Sequence, residues 1–313
     1  MRLVFVMDPL SRVNPEKDTT FAFVRAAQKR GHESLHVLLH DLSVSGGEAF
    51  ARARRLRITD DGAQIRLEGE PFPVRLADVG AVLIRKDPPF DRAYLYASLV
   101  LESARGKTLL VNDPRGLRDA NEKLYALQFP DLTPKTLVTA NRDEIHDFVR
   151  ATGGTGVIKP LDGAGGSGVI LLRSDDKNAR AIVDLLTHEG HRVAIVQEYL
   201  PAVREGDKRI LLLDGEVLGA ILRVPRGDDI RSNIHAGGHV VPTEVTPREL
   251  AMVESMKARL RADGLVFVGL DVIGERLTEV NVTSPTGIQE LGRFSGTSPE
   301  DRVIEWLEAH ALT

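Results

Sequence analysis

The chain of 313 residues contains no cysteine. That absence excludes disulfides, thiolate metal sites and a cysteine nucleophile, so any sulfur in its chemistry must arrive with a substrate. Long hydrophobic runs are also missing. No run approaches the ~18 apolar residues of a membrane span. The five apolar residues Leu3–Met7 before Asp8-Pro9 read as a strand rather than a signal-peptide core, so the expected location is cytoplasmic, with no membrane partner. Charge of one sign is lacking too. With 41 basic and 45 acidic residues, net −4, the chain carries no nucleic-acid footprint. It has no internal repeat and no low-complexity tract. At 42% hydrophobic and 27% charged residues, the composition is that of a soluble globular protein with room for a large core. The length suits two or three structural units.

The most informative stretch is Asp271–Asn281. The apolar run Val266–Ile273 meets a turn at Gly274, and a second strand runs from Leu277 to Val282. If Asp271 lies opposite Glu279, then Gly269, Asp271, Leu277, Glu279 and Asn281 share one face. Val268, Leu270, Val272, Val280 and Val282 share the other. A shift of one residue mixes both faces, and a half-buried hairpin takes the register that keeps its apolar face intact. Two carboxylates and a carboxamide therefore come together. Adjacent carboxylates repel, and burying one is costly. A hard divalent cation resolves the conflict: Mg²⁺ takes oxygen ligands, keeps several waters and shares its other positions with substrate phosphates. The plain alternative is a solvated strand with surface acids.

The N-terminal stretch reads β-loop-α-β: Leu3–Met7, a helix Thr19–Arg30 capped by Asp18 and stopped by Gly31, then Leu35–Leu39. This opens an α/β sheet, whose ligands bind outside the carboxyl ends of its strands. Asp8 and Asn14 become candidates on that ground. Residues 41–79 resist assignment, and Arg52, Arg54, Arg55 and Arg57 read as a solvated basic face. Val79–Ile84 is a further strand. Arg85 at its carboxyl end can grip a carboxylate in a bidentate fork, or serve only in a surface ion pair. A helix over Asp91–Gly106, a strand over Thr108–Val111 and a short helix from Asn112-Asp113-Pro114 follow. The first boundary falls near 120.

Asn141 caps a helix to Arg150. Between the strands Gly156–Pro160 and Val169–Arg173 lies Asp162–Gly168. Gly163, Gly165 and Gly168 match the dinucleotide spacing G-x-G-x-x-G, but a strand follows where that fingerprint needs a helix. What remains is a glycine-rich hairpin loop able to fold its backbone N–H groups over phosphates, with Lys159 upstream as a point charge. A flexible tight turn is the alternative. A helix over Asp176–Glu189, stopped by Gly190, leads to the strand Val193–Val196. The following Gln197–Pro201 could offer strand-edge groups to a purine, which sequence cannot tell from any strand end. Gly206–Arg209 opens the strand Ile210–Leu213; Asp214-Gly215 turns the chain, and Val217–Val224 returns carrying Arg223. Residues Pro225–His239 read as a mobile loop whose Arg231 and Asn233 could contact a substrate on closure; His235 receives no role. A helix spans Thr246 to Asp263. The sequon Asn281-Val-Thr283 lies in a strand and is discounted. Pro299–His310 is a final amphipathic helix with Trp306 as packing.

Taken together, the chain resembles the bacterial glutathione synthetases of the ATP-grasp superfamily over nearly its whole length. The residues that carry the resemblance are Met7-Asp8-Pro9, Arg85–Asp91, Arg118-Asp119 with Asn121–Leu124, Lys159–Gly163, Gly206–Arg209, Gly269–Asp271 and Thr278–Thr286. The resemblance implies an α/β (α+β) ATP-grasp fold with an N-terminal open parallel α/β domain at 1–120, a lid subdomain with the glycine-rich loop at 121–200 and a C-terminal subdomain with the metal hairpin at 201–313. It implies ATP-dependent ligation of γ-glutamylcysteine to glycine through an acyl phosphate. Lys123 and Lys159 would hold the ATP phosphates beneath Gly163, Gly165, Gly166, Ser167 and Gly168. Glu198, Tyr199 and Leu200 would meet adenine, and Asp207 the ribose. Asp271, Glu279 and Asn281 would bind two Mg²⁺ ions, with Mn²⁺ as a substitute. Arg209 and Arg223 would stabilise the acyl phosphate and the tetrahedral oxyanion. Asp8, Asn14, Arg85, Ser284, Thr286 and Gly287, with Arg231 and Asn233 from a lid over residues 225–239, would recognise the substrates. A homotetramer is implied as well. Residues Gln289–Ser298 match nothing in the resemblance. Two rival readings stand: another ATP-grasp carboxylate–amine ligase, which the Asp8 and Arg85 segments oppose, and an ATP-binding regulatory protein without catalysis, which intact Asp271, Glu279, Asn281 and Arg223 oppose.

Overall fold

The computed structural model describes residues 1–163, 165–225 and 238–312. The first sheet contains β1 (Arg2–Val6), β2 (Glu33–Val37), β3 (Leu42–Ser45), β4 (Glu48–Ile58), β5 (Ile65–Arg75), β6 (Ala81–Ile84) and β7 (Leu109–Val111). Its parallel centre has the order β2-β1-β6-β7, and β4 joins β2 antiparallel, flanked by β3 and β5. On β1, Val4 and Val6 enter one apolar cluster while Leu3, Phe5 and Met7 follow on the other face. Burial on both faces is why the run is continuously apolar. Helix α1 (Thr19–Lys29) starts at Asp18, whose carboxylate accepts the Phe21 N–H at 2.8 Å. Strand order reverses at β1, so a crevice opens at the carboxyl ends of β1 and β6, where Asp8 and Arg85 follow.

The stretch that resisted assignment is the long β4–β5 hairpin. Ala49, Ala51, Ala53, Leu56 and Ile58 are buried while Arg52, Arg55 and Arg57 are exposed. The basic run is thus the outward half of a strand, its register interrupted between Ala53 and Arg55. Helices α2 (Arg92–Glu102) and α3 (Pro114–Asp119) complete this part.

The second sheet, β8 (Thr136–Thr139), β9 (Thr155–Pro160), β10 (Ile170–Arg173) and β11 (Ala194–Glu198), is antiparallel in the order β10-β9-β11-β8. With α4 (Arg142–Ala151) and α5 (Ala179–Thr187) it encloses its own apolar cluster of Ile145, Val149, Ile158, Leu172, Val183, Ala194 and Val196. Helix α5 is shorter than the expected 176–189. The Asp176 carboxylate accepts from Asn178 N in a turn, and His188, in the left-handed region at φ 46°, ends the helix before Gly190.

The third sheet contains β12 (Asp207–Leu213), β13 (Glu216–Val224), β14 (His239–Pro242), β15 (Phe267–Ile273) and β16 (Arg276–Asn281), ordered β14-β13-β12-β15-β16. Helix α6 (Pro247–Ala262) opens with a reciprocal capping box between Thr246 and Glu249. Helices α7 (Ile288–Ser295) and α8 (Pro299–His310) follow, so the segment that matched nothing is largely helical. Ile210, Leu212, Val268 and Leu270 share a cluster with Val4 and Val6. The first and third sheets therefore share apolar cores, whereas the second has its own.

The β15–β16 hairpin pairs Asp271 with Glu279 and Gly269 with Asn281, as its polarity pattern predicts. One residue departs from the expectation. A register shift between Asp271 and Val272 pairs Val272 with Leu277, and Leu277 lies wholly buried among Val272, Val280 and Val282 rather than on the polar face. The extra residue of the bulge turns Leu277 over without disturbing the acids. Leu277→Ala is therefore expected to lower unfolding stability by about 2–5 kcal/mol, as for a core leucine, measured by denaturant titration. A negligible change would put Leu277 on the polar face.

Candidate active site

Four buried charges lie across the third sheet. Register places Asp207 beside Arg223 and Arg209 beside Asp271. Arg209 grips Asp271 in a fork, Nε to Oδ1 at 2.5 Å and Nη2 to Oδ2 at 3.0 Å. Arg223 Nη2 donates to Asp207 Oδ2 at 2.5 Å and lies 3.0 Å from Asp271 Oδ2. Burial works against ionisation of Asp271, but Arg209 and Arg223 outweigh it and hold the carboxyl well below the usual carboxylate range. Burial pushes the Asp207 carboxyl up to about 7, against the pull of Arg223.

Two cavities meet at this centre. One, of about 840 Å³, is lined by Lys123, Lys159, Gly163, Gly165, Gly166, Ser167, Glu198, Tyr199, Leu200, Asp207, Asp271 and Glu279. Apolar walls from Val157, Val169, Val203 and Ile273 complete it. Lys123 donates to the Gly163 carbonyl at 2.6 Å, and Lys123 and Lys159 stand 3.7 and 3.9 Å from Glu279 Oε1. A planar base fits between such apolar walls, and the two lysines beside backbone N–H groups suit phosphates. The second cavity, of about 1650 Å³, is lined by Asn14, Arg85, Arg209, Arg223, Asn281, Ser284, Thr286, Gly287 and Glu290. Gly165, Asp271 and Glu279 line both.

Arg85 is buried, not a surface ion-pair residue. Its Nη2 donates to the Pro285 carbonyl at 3.0 Å and its Nε to Thr20 Oγ1 at 3.2 Å, and the guanidinium packs against the rings of Phe23 and Phe267, which themselves meet edge to face. Its Nη1 has no partner among the described residues. Burial lowers the proton affinity of this guanidinium, and Asp18 and Asp87 oppose that effect.

Asp271, Glu279 and Asn281 supply oxygen donors only. Asn281 donates Nδ2–H to the Gly269 carbonyl at 3.4 Å, which leaves its Oδ1 as an acceptor. Among the described residues no three acidic or histidine side chains form a ready cation cage. Two carboxylates and one carboxamide at a phosphate cavity match the way Mg²⁺ is held, with substrate oxygens and water completing the shell. The residues present therefore fit that ion.

Several expected site residues stand elsewhere. Asp8 does not line either cavity: its carboxylate accepts the Asp87 N–H at 2.9 Å and meets Arg12 at 3.1 Å and Lys86 at 3.2 Å. It pins the turn after Arg85. Gly168 lies outside the cavity lining as well. At φ +72° it packs on Pro160, where a Cβ would meet the ring at 2.8 Å. Asp207 lines the smaller cavity, but its carboxylate holds Arg223 rather than standing open for a ribose. Glu198 lines the same wall and accepts the Lys135 N–H at 2.9 Å. Arg231 and Asn233, with His235 and most of the expected lid, lie outside the described residues.

Sequence reasoning missed three groups here. Asn112, read only as the start of a helix, accepts from Val266 N and Phe267 N and donates to the carbonyls of Phe267 and Val282. It thereby holds both strands of the acid hairpin. Glu122 accepts from Thr283 Oγ1 at 2.9 Å, and burial with the nearby Glu279 charge pushes its carboxyl up to about 7. Glu290 sits in the unmatched segment. The partners of Asn112 and Glu122 are over a hundred residues away, so no local pattern gave them a role; Glu290 pairs with Arg293, three residues on, which a helix surface would show equally.

Comparisons with known proteins give the family and the fold. The family model for the N-terminal domain of prokaryotic glutathione synthetase matches residues 1–118, and that for its ATP-grasp domain matches 122–296. The chain is 47% identical to a glutathione synthetase of Gloeobacter violaceus, over 98% of this chain and 96% of the relative. It is 43% identical to those of Synechocystis sp. (98% and 99%) and Salmonella typhimurium (99% and 98%). Among solved structures, a D-cycloserine synthetase superposes with a TM-score of 0.66 at 17% identity, covering 98% of this chain and 100% of that one. A RimK-domain ATP-grasp protein from Sphaerobacter thermophilus gives 0.63 at 19%, with 98% and 100% covered. These two show the fold.

Glu279→Gln removes one donor charge and keeps the shape. Calorimetry is expected to show Mg²⁺-dependent ADP binding weakened at least ~10-fold, with the Tm of the ligand-free chain falling by no more than about 4 °C. Collapse of the Tm would make this carboxylate structural.

Proposed function

The chain belongs to the prokaryotic glutathione synthetase family, and from that premise we propose how its residues divide the work. The enzyme is an ATP-dependent ligase that joins γ-glutamylcysteine to glycine through an acyl phosphate and releases ADP and phosphate. ATP and Mg²⁺ belong to the family's chemistry, and its substrates are small molecules.

We propose that the smaller cavity takes ATP and the larger one the dipeptide. The observation that carries this is the position of Asp271 and Glu279 on the wall common to both. Phosphoryl transfer asks a protein for positioning and charge neutralisation, with no protein nucleophile. Lys123 and Lys159 hold the phosphates, Gly165, Gly166 and Ser167 cover them, and Glu198, Tyr199 and Leu200 border the base. When bound, Mg²⁺ neutralises phosphate charge on Asp271, Glu279 and Asn281; two ions, or Mn²⁺ in their place, are consistent with this donor set. The cysteinyl carboxylate attacks the γ-phosphorus, the bond from the γ-phosphorus to the bridging oxygen breaks, and ADP leaves as the acyl phosphate forms. The glycine amine then attacks its carbonyl carbon, a tetrahedral intermediate forms, and phosphate leaves with the C–O bond. Arg209 and Arg223 face the larger cavity and balance the charge on those oxygens. Asn14, Arg85, Ser284, Thr286 and Gly287 recognise the γ-glutamyl end. Arg231 and Asn233 belong to a lid over 225–239 that excludes water from the acyl phosphate.

The separate core of the second sheet supports a division into units at 1–120, 121–200 and 201–313. A cytoplasmic homotetramer remains part of the proposal, ATP being an intracellular co-substrate. The deciding assay is ADP release with ATP, Mg²⁺ and γ-glutamylcysteine, with and without glycine. Strict dependence on both acid and amine is expected. Turnover with other dipeptides but not this pair would assign the site to a different carboxylate–amine ligase.

A further inference from the structure

The β15–β16 hairpin joins two registers that differ by one residue, and Thr278 lies where they meet. The turn sets the first register. Gly274 and Glu275 both have positive φ, 55° and 61°, as a two-residue hairpin turn that follows the twist of its strands requires. That turn pairs Ile273 with Arg276 and Val272 with Leu277. Continued unbroken, the ladder would pair Asp271 with Thr278 and Leu270 with Glu279. Paired residues share a face, and Leu270 is wholly buried, so the Glu279 charge would enter the core at a large cost. The second register is the one observed beyond the shift, Asp271 with Glu279 and Gly269 with Asn281. One unpaired residue on β16 converts the first register into the second, and that residue is Thr278.

The faces agree with this assignment. Leu277, Val280 and Val282 are wholly buried, whereas Thr278 and Glu279, consecutive in sequence, both line the smaller cavity. Neighbours on a regular strand point to opposite faces, so two in succession on one side mark the bulge. Thr278 is 6% exposed, and its Oγ1 donates to the Asp271 carbonyl at 3.0 Å. The extra residue is thus tied by its own side chain to the backbone of the opposing acid. The other such bond across the hairpin, from Asn281 Nδ2 to the Gly269 carbonyl, is longer at 3.4 Å.

We propose that Thr278 is a positioning residue for the divalent ion: its hydroxyl pins the bulge and so keeps the Glu279 carboxylate opposite Asp271. It acts through Glu279. This rests on the reading above, in which the smaller cavity takes the Mg²⁺ nucleotide.

The test is calorimetry of ADP binding to the full chain, with and without Mg²⁺. Thr278→Val keeps the shape and removes the hydroxyl; Thr278→Ser keeps the hydroxyl. Thr278→Val is expected to weaken Mg²⁺-dependent ADP binding roughly 3–10-fold and to leave ADP binding without Mg²⁺ unchanged, while Thr278→Ser stays within about 2-fold of the unaltered chain. On a Glu279→Gln background, Thr278→Val is expected to add less than about 2-fold, because residues that act as one unit are not additive. Equal losses of ADP affinity with and without Mg²⁺ would make Thr278 a nucleotide contact and overturn the assignment. An unchanged Mg²⁺ dependence with a lowered Tm would leave the hydroxyl a structural bond and overturn it too. A full further loss on the Glu279→Gln background would sever the link to Glu279. If the unaltered chain bound ADP no better with Mg²⁺ than without, the nucleotide reading of the smaller cavity would fall, and the role of Thr278 with it.

Discussion

Arg209 and Arg223 share Asp271 across the middle of the third sheet, and the surrounding structure depends on that sharing. Four charges in an interior are expensive to desolvate, and an apolar replacement is often as stable. Removing any one member is a different matter, costing about 3–5 kcal/mol because a buried charge is left unpaired. The set pairs two guanidinium groups with two carboxyls and spans three adjacent strands, β13, β12 and β15, so strand register is tied to charge pairing. Aliphatic side chains on the other face, Ile210, Leu212, Val268 and Leu270, exclude water from behind and strengthen each interaction. A preorganised, charge-balanced centre is what phosphoryl and acyl chemistry requires, since it needs no reorganisation when anionic oxygens develop beside it.

The scaffold brings that centre to a boundary between two cores. The first and third sheets share their apolar clusters; the second keeps a separate one. The cavity between them is crossed by polar contacts: Lys123 to the Gly163 carbonyl, Asn121 to the Leu161 carbonyl at 3.1 Å, and Lys123 and Lys159 to Glu279. These are groups that a polyphosphate can also engage. Asn112 acts in the opposite sense. Its four hydrogen bonds fix the acid hairpin to the end of β7 without involving the glycine loop.

The acid hairpin was legible in sequence because its alternation of apolar and acidic residues admits a single register that keeps one face dry. The bulge was not, since one extra residue leaves that alternation intact for the acids and reverses it only at Leu277. The β4–β5 hairpin escaped notice because alanines mark its buried face, and alanine is a weak signal of period two. Asp8 illustrates a further limit. Its place at a strand's carboxyl end could be read, but its partner, the Asp87 amide, comes from a turn 79 residues away. The glycine loop was read as a unit, yet Gly163 and Gly168 are glycines because Pro160 leaves no room for a Cβ, and only Gly168 of the four stands outside the cavity lining.

The two cavities draw on different parts of the chain, and this separates energy supply from substrate choice. The nucleotide cavity is walled by the second and third sheets together with Lys123. The acid cavity takes its distal wall from the first sheet's carboxyl ends, through Asn14 and Arg85, and from the turn and helix at Ser284–Glu290. Both cavities use Asp271, Glu279 and Gly165, which is where the proposed mechanism places the transferred phosphoryl group. Residues that choose the acid can therefore change without moving the phosphate-binding groups. Under the proposed assignment, specificity belongs to the distal wall, where Asn14, Arg85 and the Ser284–Glu290 segment stand away from the shared acids.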